Sequence, residues 1–248
     1  MAIAIRGTTP LVVSTTGNPI SATLTGTRQP QAGDLLIIIH GNDFYSLTEM
    51  VTPTVGGSTG GVVAISNGLA NAGSPDAHVK TYYYVVGSTG DLTVAETESA
   101  PADEEKILVT YVLSGANTST PIDGGTSGAQ GTASVGSSAS SLVLSGVTPT
   151  GTDAFLIAHI NSGGGSSAGT PYATPGTMTE QYDGATGGIS YVGATQQLVT
   201  SGATGTRTFT GSGSTTWAGV LLAVKTASAA AAGDYVHRRR PHRGLYMR

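Results

Sequence analysis

Short apolar segments recur along the chain between stretches rich in Gly, Ser, Thr, Pro and Asn. They are rich in β-branched and aromatic residues, are too short for buried helices, and are flanked by turn-forming residues. No helical periodicity of any length is found before residue 226. The pattern predicts an all-β protein whose strands include DLLIIIH, VKTYYYVV, KILVTYVL, SLVLSGV, DAFLIAHI, GISYVGA, RTFTGS and WAGVLLAVK.

The segments follow a similar order in the two halves of the chain. Residues 21–40 align without gaps with residues 140–159 at an offset of 119, so that His40 meets His159. The segment EKILVTYVLSGA, which closes the first half, corresponds to TWAGVLLAVKTA, which closes the second. We therefore expect two pseudo-repeated halves.

The expected boundaries are a first β half over 1–117, a Gly/Ser-rich linker over 118–138, a second β half over 139–226, and an Ala-rich spacer with an Arg-rich tail over 227–248. A half with only four or five strands has a wide apolar face and little to cover it, so the halves are expected to pack on each other. The favoured fold is one antiparallel β-sandwich or jelly roll with an extended basic C-terminal tail. Two small sandwiches are the alternative.

Composition narrows the class of protein. Charged residues make up 10% of the chain and there is no cysteine, which excludes a disulfide scaffold and Cys-based zinc or redox chemistry. The N-terminus lacks the pattern of a signal peptide, and no apolar run has the length of a membrane span. We expect a protein made without a signal peptide and without a membrane partner.

Charge is distributed unevenly along the chain. Residues 1–232 carry 6 basic and 14 acidic residues, whereas residues 233–248 carry five arginines and one aspartate. The tail could bind nucleic acid through phosphates, or acidic protein surfaces through carboxylates. A frayed, solvated terminus is the neutral alternative. The acidic body argues against nucleic acid as the partner.

Two histidines are the first candidates for chemistry. His40 and His159 end equivalent predicted strands, with Asn42, Asp43 and Asn161 nearby. A metal or acid–base site is one interpretation. The alternative, which we favour, is a pair of polar residues where buried strands emerge.

Three further motifs carry little weight. GSSAG contains Ser167 in a G-x-S-x-G pattern, but no helix follows it as a hydrolase requires. GGSTGG at 56–61 lacks the Lys-Ser/Thr of a phosphate loop. PADEEK at 101–106 indicates a solvated acidic loop. The sequence therefore predicts a protein that is not an enzyme, with no cofactor, no metal and no catalytic residue.

The succession QAGDLLIIIHGN, KTYYYVVGSTGDLTV and EEKILVTYVLSGANTSTPID, followed by a second round that ends in TTWAGVLLAVK, resembles virion structural proteins of tailed bacteriophages, particularly those of actinobacterial hosts. The resemblance covers residues 20–226 and lies in the kind and order of the strand segments rather than in a diagnostic motif. It implies a β-rich head decoration, minor capsid or tail component located in the virion. Such proteins bind other virion proteins and carry no catalysis.

The resemblance gives the tail a role. A capsid decoration protein would bind the major capsid protein and neighbouring copies of itself as a homo-oligomer, with a trimer as one option. The expected capsid anchor consists of Arg238, Arg239, Arg240, Arg243 and Tyr246. The alternative is a tail-tip or tail-fibre component that binds host glycan through glycine-rich loops, with Tyr172 and Tyr182 as stacking platforms.

Overall fold

The computed structural model describes residues 2–15, 17–42, 50–70, 77–97, 105–123, 134–163, 172–186 and 188–228. Within these ranges the chain is all-β, as predicted, and every strand pairing is antiparallel. The strands are β1 Ala4–Ile5, β2 Leu11–Thr15, β3 Ile20–Leu24, β4 Leu35–Asn42, β5 Thr54–Val55, β6 Val63–Ala70, β7 Ala77–Val85, β8 Leu92–Glu96, β9 Lys106–Ser114, β10 Ser134–Leu144, β11 Phe155–Gly163, β12 Thr179–Thr186, β13 Ile189–Gln197 and β14 Arg207–Val224. A short 3₁₀ turn covers Gly26–Arg28.

Strands β1 to β9, which we call the first half, form two sheets. The six-strand sheet has the order β1-β9-β4-β7-β6, and β2 pairs with β9 beyond the end of β1. The three-strand sheet has the order β3-β8-β5. Strand β4 lies in the middle of the six-strand sheet and is buried throughout, which explains the continuous apolar run of its sequence.

Strands β10 to β14, the second half, form one five-strand sheet in the order β10-β14-β11-β13-β12. Strand β14 is 18 residues long and combines the predicted segments RTFTGS and WAGVLLAVK. Its first residues pair with the end of β10, and its last nine residues pair with β11. The ladder with β10 shifts register twice, between Gly136 and Ser141, which lets the two strands change direction.

Three hydrophobic cores hold these layers together. The central core lies between the six-strand and five-strand sheets and contains Ile37 and Ile39 of β4 with Ile157 of β11. The first-half core lies between the six-strand and three-strand sheets. The second-half core lies between the other face of the five-strand sheet and the far ends of β10 and β14, where Leu142 and Phe209 are fully buried. The two halves thus pack face to face, as expected.

The alternation of side chains tests the gapless alignment of the halves. Even-numbered residues of β4 face the first-half core, whereas odd-numbered residues of β11 face the central core. An offset of 119 therefore superimposes opposite faces, because a shift of one residue moves a strand's side chains to the other side of the sheet. His40 and His159 consequently point into different cores.

The predicted linker, residues 118–138, overlaps segments that are paired in the structure. Strand β10 begins at Ser134, inside the predicted linker 118–138. Before it, Ile122 and Ala116 bridge to Val224 and Thr226, so the start of the predicted linker is paired with the end of the second half.

Candidate functional site

The expected capsid anchor and all but the first two residues of the predicted spacer lie outside the described residues. The last described residue is Ser228, and the residues just before it lie beside the start of the predicted linker. Ala227 donates a backbone hydrogen bond to Gly115, and Lys225 donates one to Pro121. The last described residues are therefore fixed to the body immediately before the tail begins.

A polar groove of about 500 Å³ includes the last described residue, Ser228, in its lining. Its lining is Asn117, Thr120, Asp123, Thr150, Gly151, Thr152, Asp153, Ala154, Lys225, Thr226, Ala227 and Ser228. Asp123 is buried, and its carboxylate accepts hydrogen bonds from the backbone amides of Thr150 and Gly151 and from the Thr150 hydroxyl. Burial alone would raise the pKa of Asp123, but these bonds and the Lys225 ammonium 3.8 Å away together lower it. Asp123 thus stays ionised and serves the local structure.

His40 lies in the first-half core. Its Nδ1 is 2.6 Å from Oε2 of Glu96, which reaches it from β8, and both side chains are completely buried. Glu96 was not among the residues singled out from the sequence, because nothing in the sequence indicates that β8 crosses over β4. Lys80 and Lys106 lie close to this pair on the same face of the six-strand sheet.

His159 lies in the central core among tyrosines. Its Nδ1 is 2.8 Å from the Tyr182 hydroxyl, and the Tyr182 ring lies 6.3 Å from that of Tyr111 and 6.4 Å from that of Tyr191. Burial lowers the pKa of His159 to about 3, so the imidazole is neutral near pH 7. This group therefore packs the two halves together and does not act as a charged site.

Glycine makes room for these rings. A Cβ at Gly193 would lie 2.1 Å from Cζ of Tyr182, and one at Gly184 would lie 2.7 Å from the Tyr191 hydroxyl oxygen. Each tyrosine ring covers a glycine of a neighbouring strand, which explains why glycines interrupt two otherwise well-formed strands. In the sequence these glycines indicate only weak strand propensity.

Asn161 joins the halves through the backbone. Its Nδ2 donates to the carbonyl oxygen of Asn42, at 2.9 Å, and to that of His78, at 3.3 Å. In the sequence, Asn161 lies beside His159 and belongs to a candidate metal or acid–base site. In the structure its amide instead holds β11 against the end of β4 and β7.

Of the other sequence motifs, the structure describes the glycine-rich segment 56–61. Asp43 and Ser167 lie outside the described residues. The glycine-rich segment 56–61 forms a tight turn in which Val55 and Ser58 exchange backbone hydrogen bonds and Gly56 and Gly57 have positive φ. That turn accounts for the glycines without a phosphate ligand.

The two tyrosines proposed as stacking platforms differ in exposure. Tyr172 is only 3% exposed, and its hydroxyl contacts the Ser162 hydroxyl at 2.5 Å inside the second-half core, so the expectation that its ring forms an exposed platform is wrong. Tyr182 is half-buried within the aromatic group described above.

Within the described ranges, no group of three or more His, Asp or Glu side chains is placed to hold a metal ion. The same part of the chain contains no helix with the length and apolar character needed to cross a bilayer. Comparison with protein families, with curated protein sequences and with solved structures yields no match to this chain.

Proposed function

We propose that the protein is a non-enzymatic structural protein of a phage virion. In this proposal it decorates the capsid, binds the major capsid protein, and uses the Arg-rich tail as its anchor. The partners are the capsid shell and neighbouring copies of the chain.

The observation that carries this proposal is the use of basic residues in the body. All six basic residues before residue 229 are engaged within the body: Arg6 with Asp34, Arg28 with Thr9, Lys80 with Met50, Lys106 inside the first-half core, Arg207 with Thr204 and Gln196, and Lys225 near Asp123. The sequence then places five further arginines after residue 232. Cationic side chains that serve an outside partner are thus supplied by the tail, where arginine pairs well with carboxylates.

The position of the last described residues is compatible with an anchoring role. Ser228 lies next to the polar groove and the turn that precedes β11, so the tail is joined to a fixed part of the body.

We also propose that the body consists of two copies of one unit, as the sequence suggested, but with a corrected offset. In each half a central strand is flanked by a late strand and an aromatic strand: β4 by β9 and β7, and β11 by β14 and β13. Matching these ladders pairs Leu35 with Phe155, an offset of 120. An even offset superimposes the same faces of the strands.

Two details outside the central strands support this repeat. The edge strands β6 and β12 each carry an irregularity at matching positions, after Ala64 and after Glu180. The backbone bond from Arg6 to Val112 has a counterpart from Asp123 to Ala223, and both residues contact the turn before the central strand of their half. That the two halves together form one jelly roll stays a prediction.

Binding to particles tests the proposed function. The full chain and a truncation after Ala232 would be sedimented with capsids of the phage that encodes the chain, with circular dichroism used to verify that both are folded. We expect the truncated protein to remain folded and to lose most of its binding. Undiminished binding by a folded truncation would refute the anchor.

A matched pair of variants separates charge from geometry. Replacing Arg238, Arg239, Arg240 and Arg243 with glutamine removes the positive charge, whereas lysine keeps it but loses the planar fork. We expect the glutamine variant to bind like the truncation and the lysine variant to bind at an intermediate level. Binding of wild-type protein should also weaken with added salt.

A further inference from the structure

The first-half core contains a lysine directly opposite an asparagine. Lys106, the first residue of β9, pairs with Asn42, the last residue of β4, in their antiparallel ladder. Directly opposite residues of such a ladder point to the same face of the sheet, with Cβ atoms about 4.5–5.5 Å apart. This face is that of the first-half core, since Leu36 and Ile38 precede Asn42 at alternate positions of β4. The pair therefore lies at one end of that core.

Both members of the pair are withdrawn from water. Neither Lys106 nor Asn42 has any exposed surface. A lysine stem usually carries the amine to solvent, but that of Lys106 keeps it inside the body, beside the Asn42 carboxamide. The neighbour of Lys106 on its other side is Thr15 of β2, which has a hydroxyl group. Of these two neighbours across the sheet, only Asn42 offers a side-chain carbonyl carbon that an amine can attack.

A carboxyl group approaches the same end of the core from the opposing sheet. Glu96 of β8 is 2% exposed, and its Oε2 lies 2.6 Å from Nδ1 of His40. His40 is two residues before Asn42 on the same face of β4 and is diagonal to Lys106 in the ladder. An amine from β9, a carboxamide from β4 and a carboxyl group from β8 are thus gathered in one buried place.

The second half closes the matching place without these groups. In the repeat proposed above, Asn42 and Lys106 match Ser162 of β11 and Trp217 of β14, which are also directly opposite each other. Both of these residues are buried and neutral. Packing alone therefore does not require a lysine here, and a buried ammonium group costs free energy unless its charge is balanced or removed.

We propose that Lys106 and Asn42 form an intramolecular isopeptide bond, with Glu96 as the proton carrier. Nζ of Lys106 attacks Cγ of Asn42, a new C–N bond forms, and the bond from Cγ to Nδ2 breaks. Lysine enters with an ammonium group, and Nδ2 leaves as an ammonium ion. Two protons pass from the attacking nitrogen to the leaving nitrogen, so that atoms and charge balance without an oxidant or a further reactant.

The site supplies what this reaction needs. The sheet register holds the amine and the carbonyl carbon beside each other, which replaces a bimolecular encounter with an intramolecular one. A carboxyl group such as that of Glu96 can take a proton from the attacking nitrogen and return it to the leaving one. The product is a neutral amide, which is less costly to bury than an ammonium group. It would join β4 to β9 covalently, and this inference is independent of the proposed function.

Mass spectrometry of the denatured full-length protein tests the bond. The bonded chain is lighter by one ammonia than the chain calculated from the sequence. Trypsin cleaves after lysine and arginine but not after a lysine whose amine is acylated. We therefore expect a branched tryptic peptide in which residues 29–80 are linked to residues 81–207, without cleavage after Lys106. A wild-type chain of full mass that is cleaved after Lys106 would overturn the proposal.

The linked peptide is the decisive observation, because ammonia can also be lost elsewhere. An Asn–Gly dipeptide such as Asn67–Gly68 loses ammonia when it forms a succinimide. That product leaves the chain cleavable after Lys106 and links no second peptide to residues 29–80. A lighter chain with no linked peptide would therefore count against the bond.

Three variants assign the roles. Lys106→Arg retains a cation but has no nucleophilic amine, and we expect it to have the full mass. Lys80→Arg is the matched control, since half-buried Lys80 lies on the same sheet and donates to the Met50 carbonyl oxygen, and it should still lose ammonia. Glu96→Gln should slow bond formation by about 10²–10⁴-fold and leave most of the chain at full mass.

The variants also define the results that would contradict the proposal. Loss of ammonia from Lys106→Arg together with a linked peptide would exclude Lys106 as the nucleophile. Complete bond formation in a folded Glu96→Gln variant would exclude Glu96 as the proton carrier. If these variants do not fold, the peptide map of the wild-type protein decides the existence of the bond alone.

Discussion

Replacement of Gly193 by alanine tests the packing of the aromatic group between the halves. The added methyl group would lie 2.1 Å from Cζ and 2.3 Å from Cε1 of Tyr182, far inside the ordinary contact distance. The two positions lie on neighbouring strands, so the backbone has little freedom to separate. The Tyr182 ring must therefore move away from Gly193 and also from His159.

The size of the effect can be worked out from these contacts. Overpacking costs roughly 1–3 kcal/mol, and loss of a hydrogen bond to buried His159 costs about 1–3 kcal/mol more. Alanine recovers about 0.5–1 kcal/mol because glycine disfavours strands. We expect a net loss of roughly 1–5.5 kcal/mol in the free energy of unfolding, which lowers Tm by roughly 2–22 °C in a protein of this size.

Urea unfolding followed by circular dichroism and by Trp217 fluorescence would measure the loss. Gly87→Ala is the control, since a Cβ at Gly87 meets no atom within 4 Å and its φ is not positive. In a Tyr182→Ala background the same change at Gly193 should be nearly neutral, because the clashing ring is absent. A change of less than about 0.5 kcal/mol from Gly193→Ala, or full additivity with Tyr182→Ala, would refute the reasoning.

Two further predictions concern the same interface. Burial lowers the pKa of His159 to about 3, below its value near 6.5 in the unfolded chain. The neutral imidazole therefore contributes fully to the free energy of unfolding above pH 6.5, and this contribution is lost as the pH falls toward 3, by up to about 1.4 kcal/mol per pH unit. His159→Phe should flatten this part of the stability profile in urea unfolding between pH 7 and 4.5, and an unchanged slope would contradict the assignment. Asn161→Ala removes the bonds to Asn42 and His78 and should cost about 1–3 kcal/mol, whereas exposed Ser21→Ala should stay within about 0.5 kcal/mol. Equal stability of these two variants would mean that Asn161 does not join the halves.

Much of the strand content was predictable because apolar runs and turn residues act locally. The segment DLLIIIH forms β4, because a central strand that is covered on both faces needs apolar residues at successive positions. RTFTGS and WAGVLLAVK were predicted as two strands, yet they form β14 as one. The Gly, Ser and Thr residues between them resemble a turn in sequence, but β10 pairs with Thr210 and Thr215 on either side, and the strand is continuous between these two residues.

The candidate site was less accessible to sequence reasoning, because its contacts come from distant segments. His40 is a candidate in the sequence, but its partner Glu96 comes from another sheet. In the repeat that we propose, His40 matches Ile160 rather than His159. The gapless alignment failed by a single residue, which in a strand reverses the face. Gly193 became meaningful only when the ring of Tyr182 was placed against it.

The length of β14 has a consequence for the way the second half unfolds. One continuous strand lines both sides of the second-half core, so separating those layers requires breaking hydrogen bonds that β14 makes with β10 or β11. The second-half core should therefore open only in one large cooperative step. Amide protons at the two ends of β14 should accordingly exchange together rather than in sequence.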